Sequence, residues 1–77
     1  MPIRPFLNGH RFDAEMTRIM GVAFDMACIA LRLSERDALT ETIANRIIEL
    51  AEAGETNPDL LCERVLYEFG KPPGFLG

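Results

Sequence analysis

The sequence predicts an all-α domain of three helices packed as antiparallel neighbours. Three observations carry that prediction. Apolar residues recur at helical spacing in three stretches, over residues 16–31, 39–51 and 61–69. Residues that start or stop helices stand at the ends of those stretches: Asp13, Gly54, Asn57 and Pro58. No stretch alternates apolar and polar residues as a half-buried strand would. The connections are short, as between antiparallel neighbours in a bundle. The chain therefore divides into an extended N-terminal arm over 1–12, a single three-helix domain over 13–70 and a Pro/Gly-rich C-terminal tail over 71–77.

The arm reads MPIRPFLNGHRF. Pro2 and Pro5 favour extended backbone, and Asn8-Gly9 is a turn signal. Ile3, Phe6 and Leu7 are unusual in a free tail, so part of the arm is expected to lie on a hydrophobic surface. His10 is the chain's one histidine. Beside Arg11 in an arm, it reads as a solvated residue rather than a catalytic base.

The first helix is expected over 13–33. Asp13 is a good N-cap, and Glu15 sits in the first turn, where the helix dipole favours an acid. The stretch 19–31, IMGVAFDMACIAL, carries a single polar side chain, Asp25. Arg18, Asp25 and Arg32 fall seven apart and share one narrow stripe. With Asp25 at the outward pole, Met16, Ala23, Ala27 and Ala30 lie opposite as a spine, with Met20 beside them. Ile19, Val22, Met26 and Ile29 form one flank, and Phe24, Cys28 and Leu31 form the other. A helix with so little polar face must be covered from more than one side. Gly21 costs about 1 kcal/mol of helix propensity relative to Ala, and close packing is its expected reason.

The second helix is expected over 38–53. Ser34 and Asp37 stand at capping-box spacing, with Asp37 and Thr40 as alternative caps. Leu39, Ile43, Ala44, Ile47, Ile48, Leu50 and Ala51 form a broad apolar stripe, and Gly54 fits the position just past a helix end. The third helix is expected over 57–69, with Asn57 as cap, Pro58 first and Asp59 next. Leu61, Cys62, Val65, Leu66 and Phe69 make its buried stripe. Gly70 is expected to end it, and Pro72 and Pro73 cannot continue it.

Composition narrows the function. A chain of 77 residues holds one small core of little net stability, and oligomerisation is one remedy. Residues 34–70 hold nine acids against three arginines. A phosphate-binding surface needs the opposite sign, so nucleic acid is disfavoured as a direct partner. A helix-turn-helix reading of the second and third helices would offer DNA Asp59, Glu63 and Glu68 with only Arg64. An acidic regulator of that type, associated with nucleic acid, is kept as the alternative. Cys28 and Cys62 form no C-x-x-C and have no histidine nearby. They are expected as buried, reduced thiols in a cytoplasmic protein, not as a zinc or redox pair. Glu52, Glu55 and Asp59 lack the alternation of a calcium loop. The opening residues lack the apolar core of a leader, and the first helix's apolar run is too short for a bilayer. No membrane partner is expected. No nucleophile stands beside a base, so no enzyme, catalytic residue, cofactor or metal site is expected.

The segments AFDMAC at 23–28 and ANRIIELAEAGETNPDLL at 44–61 resemble those of short uncharacterised alphaproteobacterial helical proteins. The motifs shared are packing and capping residues. The resemblance implies a bacterial helical protein and transfers no site residues.

The expected function is that of a small cytoplasmic helical protein acting by protein–protein interaction, as a homodimer or as a helical subunit or adaptor. The second and third helices each have one apolar stripe, enough for one neighbour. The first has a spine and two flanks, and a lone three-helix chain would leave one flank bare. A twofold dimer covers the same patch on both copies at once. The expected interface is Ile19, Met20, Ala23, Phe24, Met26, Ala27, Ala30 and Leu31. A different protein on that face, with the arm as a partial lid, is the other occupant to consider.

Overall fold

Asp13 starts the first helix as the sequence predicts: its carboxylate accepts the Met16 N–H at 2.8 Å. In the computed structural model, which describes residues 2–69, this helix is α1 (Ala14–Leu31). It is followed by α2 (Ala38–Glu52) and α3 (Pro58–Phe69). Each helix packs on the other two. No strand occurs among the described residues, and α1 runs unbroken through Gly21. No helix among the described residues is long and apolar enough to cross a membrane.

The core draws from all three helices. Met20, Ala23, Phe24 and Ala27 of α1 meet Ile43, Ala44, Ile47 and Ile48 of α2 and Leu61 and Val65 of α3. A bidentate ion pair ties α2 to α3 at the surface, with Arg46 Nε and Nη2 donating to Glu68 at 2.7 and 2.8 Å.

The helix ends follow local chemistry. Asn57 accepts the Asp59 N–H at 2.8 Å and the Leu60 N–H at 3.3 Å, so it caps α3. Past α2, Gly54 takes φ +114°; its N–H reaches the Ala51 carbonyl and the Glu55 N–H reaches that of Leu50. The same paired bonds end α1, where Arg32 donates to Ile29 and Leu33 to Cys28. Here a non-glycine residue, Arg32, holds the left-handed conformation at φ 56°. That turn stops α1 at Leu31, two residues before the expected end, and brings Leu33 back against the core. Before α2, Asp37 turns its carboxylate backward to accept the Ser34 N–H at 2.7 Å, which is the reciprocal half of a capping box. Thr40 is buried, and its hydroxyl donates to the Ser34 carbonyl at 2.6 Å. The expected Gly70 helix stop and the tail over 71–77 lie outside the described residues.

The arm is not extended throughout. Arg4–Leu7 form a 3-10 turn, closed by the Phe6 N–H on the Ile3 carbonyl at 2.9 Å. Proline's fixed φ suits such a turn as well as it suits extended chain, so Pro5 does not oppose it.

Candidate protein interface

The face of α1 that the chain leaves open is set by what covers the rest. α2 and α3 cover Met20, Ala23 and Ala27 of the spine together with Phe24 and Cys28, and leave Ala30 exposed. The arm completes the cover. Ile3 is only 2% exposed, and the Phe6 ring meets Phe24 edge-on at 5.7 Å between centroids. Consequently Ile19, Met20, Ala23, Phe24 and Ala27 of the expected interface lie in the chain's own core. Met26 and Leu31 are half-buried and Ala30 is exposed.

On the other flank Ile19 is buried and Met26 half-buried, but two residues stay uncovered. Ile29 is 77% exposed and Val22 38%. They lie seven apart and so share a face with Asp25 between them. Neither was in the expected interface, which favoured small spine residues. Beside Ile29 is a cleft of about 220 Å³ lined by Asp25, Cys28, Ile29 and Leu33. On α3, Leu60 and Tyr67 are also exposed and share its outward face, a pair the stripe of that helix did not single out.

Electrostatics and cavities limit the chemistry. Burial pushes both thiols up, with further push from Asp25 on Cys28 and from Asp59 and Glu63 on Cys62. That direction opposes thiolate nucleophilicity. Both cysteines are free and buried, as the sequence predicts. His10 lies on the surface, with Nδ1 2.9 Å from Glu52 Oε2 and its ring stacked on Phe12. It therefore straps the arm to the end of α2. The clefts flanking the arm hold about 150 and 270 Å³, below the ~300 Å³ at which small-molecule pockets begin.

No protein-family model, curated protein or solved structure matches the chain.

Proposed function

We propose that this is a small cytoplasmic protein that acts through protein–protein contact, as a homodimer formed on the outward face of α1. The observation that carries the reading is the exposure of Ile29 and Val22 on one face of a helix whose other sides are covered. A small core gains from burying such a patch. A twofold contact removes it from water on both copies together. Sedimentation equilibrium of the native chain across micromolar concentrations tests the reading. The expected mass is that of two chains, and a single-chain mass at every concentration rejects the homodimer.

A further inference from the structure

The arm sits in a groove between α1 and α2. Ile3 lies against Gly21, its Cγ2 3.9 Å from where a Cβ would stand, and is 2% exposed. Phe6 packs edge-on to Phe24, and the turn Arg4–Leu7 packs on α2. The arm's backbone bonds, Phe6 to Ile3 and His10 to Leu7, close within the arm itself. The polar tie from His10 to Glu52 lies at the surface, where such pairs hold weakly. The turn can therefore leave its seat with its own hydrogen bonds intact, and what it leaves is an apolar groove over Phe24. That groove is wider than the turn, since clefts of about 150 and 270 Å³ lie along it.

We propose that two copies of this chain exchange arms, each seating its Ile3 and Phe6 in the other's groove between α1 and α2. For its partner this rests on the homodimer reading, and it adds a second contact to the outward face of α1. The occupant follows from the seat. The groove is filled by this sequence, and a second copy carries the same sequence in the same turn. Reciprocal exchange repeats every contact of the arm between copies and closes on a twofold axis with no seat left empty.

The hinge is the stretch 8–13, between the turn and α1. Gly9 pivots there at φ +84°, and the stretch spans up to about 20 Å when extended. Gly21, where Ile3 rests, directly precedes Val22, so the seat borders the exposed face proposed for the dimer. A tether this short gives the chain's own arm an effective concentration on the order of millimolar. The chain's own arm thus holds the seat in dilute solution, and exchange grows as the protein is concentrated.

Complementary full-length variants test this by nuclear magnetic resonance. Ile3→Asp vacates the seat and disables the arm. Gly21→Phe puts a ring where Ile3 rests, leaving an intact arm and a blocked seat. Amide shifts of the isotope-labelled Ile3→Asp chain are followed as unlabelled Gly21→Phe chain is added. Should the labelled chain lose the spectrum of a folded protein, Phe6→Asp vacates the same seat in its place. Saturable shifts are expected at Gly21, Phe24 and Thr40, and they should be lost when the added chain also carries Ile3→Asp. That pair of results supports exchange. No seat shifts, or equal seat shifts from the added chain that lacks Ile3, overturns it. Shifts at Val22 and Ile29 with either added chain report the outward face separately. Those shifts without seat shifts leave the homodimer reading standing and remove the exchange. Seat shifts alone uphold exchange and move the homodimer off the outward face. Neither set of shifts overturns both.

Discussion

Gly21 sits mid-helix in α1, where glycine costs about 1 kcal/mol relative to alanine. Close packing does not account for it. A Cβ built there meets only the Ile3 Cγ2, at 3.9 Å, an ordinary contact. Gly21→Ala should therefore stabilise the protein by about 0.5–1 kcal/mol, seen as a higher urea midpoint with an unchanged slope. A lower midpoint would show that the glycine has a role in the arm's seat. Elsewhere the residue-scale signals were legible. Asp13, Asn57 and Gly54 act where the sequence puts them, because caps depend on neighbours within a turn. The Arg46–Glu68 pair was not legible, since 22 residues separate partners that only packing brings together. Hydrogen bonds from Arg46 hold the Glu68 carboxyl below the usual carboxylate range. A depressed carboxylate stabilises above its unfolded pKa and loses that stabilisation as pH falls through the folded one. Stability should thus decline below about pH 5. Glu68→Gln should lower the thermal midpoint at pH 7 and converge with the parent under acid. Parallel pH profiles for the two proteins would remove the pair from the account.

At the scale of elements, the arm is the piece whose behaviour differs most from its sequence pattern. Two prolines suggested extended chain, yet the arm forms a turn that seats Ile3 and Phe6. Its backbone bonds among the described residues are internal: Phe6 to Ile3 and His10 to Leu7. Among the described residues, side chains fasten it to the helices, through Ile3, Phe6, Leu7, Phe12 and the His10–Glu52 contact. An element held this way opens as a local unit. Ile3→Asp should release it while α1, α2 and α3 stay folded. Trypsin should then cut after Arg11 about tenfold faster than in the parent, with little loss of helical ellipticity. An unchanged cutting rate would mean that Ile3 is not the anchor.

For the whole molecule, three helices and the arm together enclose one small core. Ala27, expected on the spine of α1 and crowded whatever covers that helix, is fully enclosed by its own chain. Ala27→Leu should cost about 1–3 kcal/mol by overpacking, and it reports on the monomer's core rather than on self-association. Cys28 and Cys62 share that enclosure on different helices. Both should react with a thiol reagent only as fast as the structure opens, and both should be accelerated by denaturant. Rapid native labelling of Cys28 alone would place a local opening at the end of α1.

The sequence by itself determined the three helices and the caps at Asp13, Gly54 and Asn57. Those depend on periodicity and on residues within a few positions of one another. It also showed that α1 has more apolar surface than one neighbour can cover. Only the tertiary structure decided which part of that surface is spent internally. The arm, α2 and α3 converge on the spine and on Phe24, leaving Val22 and Ile29 outside. A side chain's exposure depends on elements distant in the chain, and helical spacing gives its direction but not what it meets.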